Sequence, residues 1–388
     1  MSGLPTFPAD PASSAAPVCR RDVALGPLTT FGVPAVAHRL FVLDRPESVD
    51  RVLRAVADLP AEHAAARAGQ TGPGIPPRPF VLGGGSNLLL ARDLDEPVLL
   101  VRLRGRHCVA DDRDTVIVEV AAGEIWHDTV RWTLENGWYG LENLVLIPGQ
   151  MGAAPWQNIG AYGVDVAERI VAVDAVHLRD ARRRRFGAAE CGFGYRSSVF
   201  KTEPGRDWLI VSVRLQLSRR PALRTGYGEI GAELARQAAD APSERPGTRD
   251  REPGPLDVAR AVEAIRRRKL PDPSQIGNAG SFFKNPVVGR AQAVELALRE
   301  PGLPIYPAGS GSGTDQAKLS AGWLIDRCGW KGVRNGDAGV HAAHALVLVN
   351  HGSASGRELL DLAGLIRDSV HGRFGIWLEP EPVIVGRL

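Results

Sequence analysis

Short apolar runs, bounded by Gly, Pro or Asp, alternate with polar stretches through the first two thirds of this 388-residue chain. Runs of this length that are rich in Val, Ile and Leu are typical of β-strands. They predict strands at residues 39–44, 80–90, 98–103, 115–121, 170–178 and 208–217. Between them, only residues 47–59 and 125–136 have the periodicity and end signals of helices. This ratio of strands to helices favours an α+β fold over alternating βαβ units.

The pattern changes near Pro221, after which helical segments become frequent. Helices are predicted at residues 257–268, 291–299, 320–326 and 355–374, and strands at residues 345–350 and 376–385. We therefore predict a domain boundary near residue 220. Two stretches rich in Pro and Gly interrupt the pattern. Residues 64–79 are expected to form an irregular connection, and residues 238–255 a mobile surface insertion.

Composition and charge exclude several classes of protein. A net charge of +3 is too small over this length to indicate nucleic-acid binding. No apolar run reaches the roughly 18 residues of a membrane-spanning helix, and the N-terminus lacks the features of a signal peptide. Residues 1–19 are expected to be a disordered tail. The four cysteines form no CxxC pair, which disfavours a zinc site or a dense disulfide framework and favours the cytoplasm.

A histidine pair and a block of arginines do not indicate a functional site. His341 and His344 form an HxxH pair, but no third ligand is spaced to complete a metal site. We therefore predict loop histidines and no bound metal. The block of arginines at 182–185 is expected to form a solvated hairpin tip.

Lysine is rare in this chain, since only five of the 47 basic side chains are lysines. They are Lys201, Lys269, Lys284, Lys318 and Lys331. A bias in base composition accounts for the many arginines. The lysines that escape it are candidates for places where a compact ammonium group is needed.

The first segment that indicates chemistry is LGGGSN, where a strand-like run leads into Gly83, Gly84, Gly85, Ser86 and Asn87. Glycines let a backbone approach a ligand closely, and successive backbone amides can bind an anion. A tight turn between two strands is the alternative interpretation. We favour a phosphate cradle, because three consecutive glycines are more than a turn requires.

The second segment is IPGQMGAAPWQNIGAYG, residues 147–163, in which small residues and amides alternate with few large side chains. Neither a strand nor an amphipathic helix explains that pattern. A backbone that wraps closely over a long, flat cofactor does, and Gln157 and Asn158 could then bond a flavin ring or ribityl edge. A glycine-rich loop is the weaker alternative, because the segment is apolar enough to be buried.

A third segment, GYGEIG at residues 226–231, formally matches the G-x-G-x-x-G dinucleotide fingerprint. That fingerprint needs a strand directly before it and an acidic residue about 20 residues later. Neither is present, so the segment is not a Rossmann motif. Tyr227, between two glycines, is well presented for contact with a ligand, although a plain turn is equally consistent with the sequence.

The segment KLPDPSQIGNAGSFFKNP contains Lys269, Ser281, Lys284 and Asn285. Two rare lysines within it favour an anionic partner. Ser281 could simply cap a turn, as serines after glycine often do. Neither GxSxG nor SxxK surrounds Ser281, which disfavours a hydrolase nucleophile.

Single charged residues mark two more segments. Arg196 precedes a hydroxyl pair in GYRSSVFK, and Glu379 and Glu381 lie in the predicted C-terminal strand. Residues two apart in a strand point to the same face, so both glutamates are expected on one face. A lone Arg or Glu is ordinarily a surface charge, so neither segment identifies a function alone.

Eight segments, taken in order, resemble one known family. They are LTTFGVPA, LGGGSN, LIPGQMGAAPWQNIGAYG, GYRSSVFK, KLPDP, GNAGSFFKNP, AKLSAGWLIDRCGWKG and LEPEPVIVG. They extend over nearly all of the chain beyond residue 20. They are similar to the UDP-N-acetylenolpyruvoylglucosamine reductases, flavoproteins of peptidoglycan precursor synthesis. GYGEIG and the insertion after it resemble the longer form of this family, which has an extra loop over the substrate.

The resemblance implies an α+β fold of three parts. Residues 20–96 and 97–220 would form a two-subdomain FAD-binding unit of the vanillyl-alcohol oxidase and p-cresol methylhydroxylase type. Residues 221–388 would form a substrate-binding domain. The resemblance also implies non-covalent FAD, NADPH as the hydride source, a sugar-nucleotide substrate that shares one cleft with NADPH in turn, and a monomer.

The resemblance further implies roles for individual residues. Arg196 and Glu381 would stabilise the enolic intermediate, and Ser281 would deliver the proton that completes the product. The UDP part would contact Tyr227, Lys269, Asn285 and Lys318. FAD would contact Gly83, Gly84, Gly85, Ser86, Asn87, Gly149, Gly152, Ala153, Gln157, Asn158, Ile159, Gly160 and Ala161.

The chain departs from the family at three places. Gln150 and Trp156 stand where smaller or aliphatic residues are usual, and Pro382 follows Glu381 where Val is common. Two other functions stay open. A flavin oxidase on the same scaffold would keep the flavin segments but not need Ser281 or Lys269. A non-catalytic nucleotide-sugar-binding protein would not need the flavin segments.

Overall fold

The computed structural model describes residues 17–59, 78–240, 252–308 and 315–386. Most of the predicted tail, irregular connection and surface insertion therefore lies outside the described residues. None of the helices within those residues is long and apolar enough to cross a membrane.

The first part of the chain forms a mixed four-stranded sheet in the order β1–β2–β5–β3. Its elements are β1 (Arg20–Ala24), β2 (Val36–Leu43), α1 (Ser48–Ala57), β3 (Phe80–Leu82), β4 (Leu88–Leu90) and β5 (Val98–Val101). β2 and β3 run parallel to β5, and β1 runs antiparallel to β2. Helix α1 buries Val49, Val52, Leu53 and Val56, whose spacing gives one apolar face. The single strand predicted at 80–90 is two strands, because the glycine turn divides it.

The second part forms a five-stranded antiparallel sheet in the order β11–β10–β12–β7–β6. Its elements are β6 (Arg106–Asp111), β7 (Thr115–Ala121), α2 (Trp126–Glu135), α3 (Ala153–Gln157), β8 (Gly160–Ala161), β9 (Val164–Asp165), β10 (Ile170–His177), β11 (Arg183–Gly187) and β12 (Trp208–Ser218). β7 alternates buried and half-buried positions, as its sequence predicts. The arginine block does belong to a hairpin, but three of its four residues begin the exposed edge strand β11.

Within its described residues, the remaining chain combines five helices with two small antiparallel sheets, in the orders β13–β19–β18–β17 and β14–β16–β15. Its elements are α4 (Ile230–Asp240), α5 (Pro255–Lys269), β13 (Gly277–Ser281), β14 (Val287–Gly289), α6 (Arg290–Arg299), β15 (Ile305–Pro307), β16 (Gln316–Leu319), α7 (Ala321–Arg327), β17 (Arg334–Asn335), β18 (Ala338–Val340), β19 (Val347–Asn350), α8 (Gly356–Phe374) and β20 (Val383–Val385). His341 and His344 lie in the loop before β19, as predicted.

Two hydrophobic cores hold these elements together, and both cross the expected domain boundaries. Val258, Val262 and Ile265 of α5 join the core of the five-stranded sheet. The first sheet shares its core with Phe282 and with helix α8. The boundaries at 97 and 220 stay predictions. The shared cores, however, bring segments from both ends of the chain to one place.

The C-terminal strand is the clearest case, because β20 pairs in parallel with β4, directly after the glycine turn. It is shorter than the predicted strand at 376–385. Glu379 and Glu381 precede it, and their side chains are 75% and 16% exposed. The expectation that they share one face is therefore wrong. Pro382 stands just before the ladder begins, where a missing N–H group breaks no strand pairing.

Candidate active site

The glycine turn between β3 and β4 packs against a second glycine segment. Gly85 has φ +60°, and a Cβ there would lie 2.3 Å from the Leu28 carbonyl oxygen. A Cβ on Gly84 would lie 3.3 Å from the Gly149 Cα atom, and the Ser86 hydroxyl donates to the Pro148 carbonyl at 3.1 Å. Gly85 therefore has no room for a side chain, and Gly84 has little. The two predicted flavin segments are therefore neighbours, and the turn is part of a close-packed cradle.

The 147–163 segment is anchored on its other side to the loop that follows β7. Met151 N–H donates to Glu124 O at 2.8 Å, and Gly152 N–H donates to Ala122 O at 2.9 Å. A Cβ on Gly152 would lie 2.8 Å from the Ala122 Cβ. The segment does contain two short regular elements, α3 and β8, which its sequence did not predict. The segment is only partly buried, since Gln150, Met151, Ala154, Pro155, Gln157 and Asn158 are buried, whereas Pro148, Ala153 and Gly163 are exposed.

The cradle contains polar groups that lack protein partners. Gln150 is 3% exposed, and neither atom of its amide has a hydrogen-bond partner among the described residues. A Cβ on Gly83 would lie 3.1 Å from Gln150 Oε1. Arg102 Nη2 is also buried without a described partner, and burial lowers the pKa of this guanidinium. Because buried polar groups are normally satisfied, this place suits a ligand with both acceptors and donors. An FAD diphosphate and its neighbouring groups fit that description.

Gln150→Leu tests this fit without any measurement of turnover. An unsatisfied buried amide costs about 1–3 kcal/mol, so we expect the free energy of unfolding of the flavin-free protein to rise by about that amount. We also expect the Kd for FAD to rise at least roughly tenfold, because the ligand loses a hydrogen-bonding partner. Urea unfolding and a flavin titration check the two effects. The exposed Gln275→Leu is the matched control and should change neither. Unchanged FAD affinity in Gln150→Leu would exclude Gln150 from the cradle.

A hydrogen-bonded cluster joins this cradle to the predicted catalytic residues. Glu381 Oε1 accepts from Arg196 Nε at 3.0 Å and from Gln157 Nε2 at 2.8 Å. The Asn87 amide donates to Gln157 Oε1 and, at 3.3 Å, to the Glu381 carbonyl oxygen. Four residues from four predicted segments are thus connected. We call Asn87, Gln157, Arg196 and Glu381 the carboxylate cluster.

Arg196 is fixed by its backbone as well as its side chain. It has φ +51°, which is unusual for a residue with a side chain. Its Nη2 donates to Gly160 O at 2.6 Å, and Nη1 lies 3.9 Å from Asp165 Oδ1. Burial raises the pKa of Asp165, and Arg196 opposes that shift. A Cβ on Gly160 would lie 1.8 Å from Asp165 Oδ1, so a side chain there would displace the Asp165 carboxylate.

Asn158 supports the Arg196 loop with its own amide. It has φ +45°, its Nδ2 donates to Gly194 O at 2.9 Å, and its Oδ1 accepts from Ala167 N–H at 3.1 Å. The Gln157 amide is likewise hydrogen-bonded to Glu381 and Asn87. Both amides proposed for a flavin edge are therefore engaged by protein groups, and they position neighbouring residues.

Ser281 ends β13, opposite Val347 of β19. The next residue, Phe282, is fully buried and accepts from Glu381 N–H at 2.8 Å through its carbonyl oxygen. Phe282 N–H donates to Leu346 O at 2.7 Å. The backbone of Ser281 is therefore held one residue away from the segment that carries Glu381.

A cavity of ≈ 340 Å³ contains three of the four predicted substrate residues, Tyr227, Asn285 and Lys318. Asn285 Oδ1 accepts from Ala321 N–H at 2.9 Å and so caps α7. Tyr195 connects the cavity to the carboxylate cluster. The Lys318 ammonium group lies 4.8 Å from the centre of the Tyr195 ring. The guanidinium carbon of Arg196 lies 5.3 Å from the same centre. Burial, together with Arg196, lowers the pKa of Lys318.

The fourth predicted substrate residue, Lys269, is instead bonded to Glu229 at 2.8 Å, so its contact with a diphosphate stays a prediction. Lys331 lines the cavity. Lys284 pairs with Glu379 at 3.2 Å. Lys331 therefore lies beside Lys318 in the cavity lining, whereas Lys284 is not part of that lining.

Four residues at the site were not predicted to have a role there. Arg102 follows an apolar strand, and Tyr195 precedes Arg196, but neither position is distinctive in a sequence. Trp156, noted as a departure, packs its side chain against the core of the five-stranded sheet, and its carbonyl oxygen accepts from the Ser198 hydroxyl at 2.7 Å. Lys201 was marked by its rarity alone.

Known proteins match this chain over nearly its whole length. One family model, described as the C-terminal domain of UDP-N-acetylenolpyruvoylglucosamine reductase, matches residues 272–385. Another, described as an FAD binding domain, matches residues 78–187. The chain is 49% identical over 369 residues to the UDP-N-acetylenolpyruvoylglucosamine reductase of Chromobacterium violaceum, covering 94% of this chain and 98% of the relative. It is 47% identical over 359 residues to that of Pseudomonas aeruginosa, covering 92% and 96%.

A solved structure agrees with these relatives. UDP-N-acetylenolpyruvylglucosamine reductase from Thermus caldophilus matches with a TM-score of 0.58 and 25% identity, over 95% of this chain and 99% of that chain. The resemblance of the eight segments is thereby confirmed, as is the combination of an FAD-binding unit with a C-terminal domain. The chain belongs to the UDP-N-acetylenolpyruvoylglucosamine reductase family.

Proposed function

We propose that this protein uses FAD and NADPH to reduce the enolpyruvyl ether of UDP-N-acetylenolpyruvoylglucosamine, which yields UDP-N-acetylmuramate for peptidoglycan synthesis. The observation that carries the proposal is the carboxylate cluster. It connects the flavin cradle to the cavity that contains Asn285 and Lys318. We also propose a cytoplasmic monomer. The free cysteines among the described residues are consistent with that compartment.

The cradle would hold FAD between the glycine turn, 83–87, and the segment 149–161. When bound, FAD supplies hydride transfer between NADPH and the vinyl carbon of the substrate. The protein contributes close backbone contact at Gly84 and Gly149, together with the Gln150 amide and Arg102 Nη2, which have no hydrogen-bond partner among the described residues. These groups fit a dinucleotide that is held without a covalent bond.

Arg196 would stabilise the negative charge that develops on the enol carbon and its carboxylate. Fixed positive groups in a site closed to water stabilise such charge most strongly. Arg196 is fixed by Glu381 on one side and by the Gly160 carbonyl on the other. Because Glu381 is paired with Arg196, the Glu381 carboxylate does not simply repel the substrate anion. Glu381 in turn orients the guanidinium.

Ser281 would donate its hydroxyl proton to the enol carbon. Serine is a weak acid, so this transfer needs a strongly basic carbon and a fixed donor. The strand pairing of β13 with β19 and the bond from Glu381 to Phe282 fix the donor's backbone. Asn285 lies four residues after Ser281, and Lys318 lies on β16. Both line the cavity and would bind the diphosphate and uridine.

The purified protein tests this proposal directly. We expect a yellow protein that releases FAD on denaturation and oxidises NADPH continuously only when UDP-N-acetylenolpyruvoylglucosamine is added. UDP-N-acetylglucosamine, which lacks the enolpyruvyl group, is the control substrate and should give no continuous oxidation. A colourless protein would contradict every flavin-dependent function. Equal NADPH consumption with oxygen alone would indicate an oxidase.

A further inference from the structure

We propose that Lys201 is a positioning residue whose ammonium group holds the Arg196 loop and adds positive charge beside Glu381. Substrate turnover would then require Lys201 in its protonated form. The inference rests on the proposed reductase function. It goes beyond that function because it assigns a role to a residue that the mechanism does not use.

The Lys201 side chain reaches back across its own loop. Its Nζ donates to the Arg196 carbonyl oxygen at 3.0 Å. The loop around it is well anchored, since Phe200 is fully buried and the Ser198 hydroxyl donates to Trp156 O at 2.7 Å. Arg206 Nε donates to the Lys201 carbonyl oxygen at 3.0 Å. Lys201 is therefore held at both its backbone and its ammonium group.

The bond is made to a residue whose backbone needs support. A positive φ is unfavourable for a residue with a side chain and persists only where surrounding contacts impose it. Gly194 and Ser197 exchange two backbone hydrogen bonds, at 3.0 and 3.2 Å, and close a tight loop around Arg196. Lys201 binds the carbonyl group of Arg196 within that loop. A charge-assisted bond at this point fixes the direction in which the guanidinium leaves the backbone.

Several charges surround the Lys201 ammonium group. Burial, together with Lys284, Arg196 and Arg206, and opposed by Glu381, lowers the pKa of Lys201 to about 8. The ammonium form is therefore present at neutral pH and is lost as the pH rises through this value. The neutral amine makes a weaker bond to the Arg196 carbonyl and adds no charge beside Glu381.

An anionic substrate should change this titration. A negative charge brought near Lys201 favours its protonated form and raises its pKa. Substrate binding near pH 8 should therefore take up part of a proton. The fall in kcat at alkaline pH, which reports the complex, should also lie at higher pH than the fall in kcat/KM, which reports the free protein. Both effects can be measured, and only the second depends on catalysis.

Two substitutions at Lys201 separate charge from structure. Lys201→Arg keeps a positive charge at all accessible pH values, so its kcat/KM should stay level where the wild-type value falls about tenfold per pH unit above the pKa. Lys201→Met removes the charge and the bond, and kcat at pH 7 should fall roughly tenfold to a hundredfold. Lys284→Met removes a neighbouring charge that lowers this pKa, so the alkaline limb should move to higher pH.

Calorimetry of substrate binding at pH 8, in buffers of different ionisation enthalpy, gives a second readout. Proton uptake should be present in the wild type and absent in Lys201→Arg. An alkaline limb that is unchanged in Lys201→Arg, or a Lys201→Met protein with normal kcat and only a lower Tm, would overturn the inference. If Lys201→Met does not fold, the arginine variant still decides. A wild type that does not turn over the enolpyruvyl substrate would instead overturn the proposed function.

Discussion

Ser281→Ala is expected to reduce turnover by about 10²–10⁴-fold, the usual contribution of a positioned proton donor. Substrate should still bind, because the substitution removes one hydroxyl and leaves the β13–β19 pairing intact. NADPH should still reduce the bound flavin, because that half of the reaction needs no proton from serine. Steady-state NADPH oxidation, calorimetric substrate binding and a rapid-mixing measurement of flavin absorbance check the three expectations.

Ser274→Ala is the matched control for this substitution. Ser274 lies in the loop just before β13, is exposed, and bonds only locally to Asp272 among the described residues. It should keep wild-type turnover and affinity. A Ser281→Ala protein with near wild-type turnover would show that another group delivers the proton. A loss of substrate affinity equal to the loss of turnover would show a binding role instead.

Local sequence patterns predicted the strands and helices whose apolar faces are buried by near neighbours. β7 and β12 were found within one residue of their predicted ends, because short runs rich in Val, Ile and Leu mark both strands. Helix α8 was found because a serine cap and a closing glycine bound an apolar periodicity. In these cases the sequence contains both the face and the end signals.

The carboxylate cluster could be named from motifs but not assembled from them. Asn87 and the Glu381 carbonyl are 294 residues apart in sequence, and no local periodicity encodes the β4–β20 pairing that joins them. Pro380 and Pro382 flank Glu381 and interrupt the strand predicted at residues 376–385. The sequence favoured a cradle over a simple turn at residues 83–87, but it did not show that Gly149, from a distant segment, packs against Gly84. Contacts between distant segments depend on packing, which a single sequence does not display.

Arg196→Lys should reduce turnover by about 10²–10³-fold, the typical loss when one donor to a developing anion is removed. An ammonium group cannot bond Glu381 through one edge and Gly160 through another as the guanidinium does. It also leaves a carboxylate of 16% exposure with a poorly placed partner. KM for the substrate should change less than kcat, because the strongest interaction is expected when the charge develops.

The control for this charge-conserving substitution is Arg220→Lys. Arg220 is 72% exposed and pairs with Asp114 at 2.7 Å on the surface, where an ion pair contributes little. Its turnover and Tm should stay close to wild type. If Arg196→Lys keeps wild-type kcat, then a single positive charge is sufficient and the planar, two-sided geometry of the guanidinium is not required. If Arg196→Lys lowers kcat while Tm and flavin binding stay close to wild type, the function of Arg196 is to stabilise the developing charge.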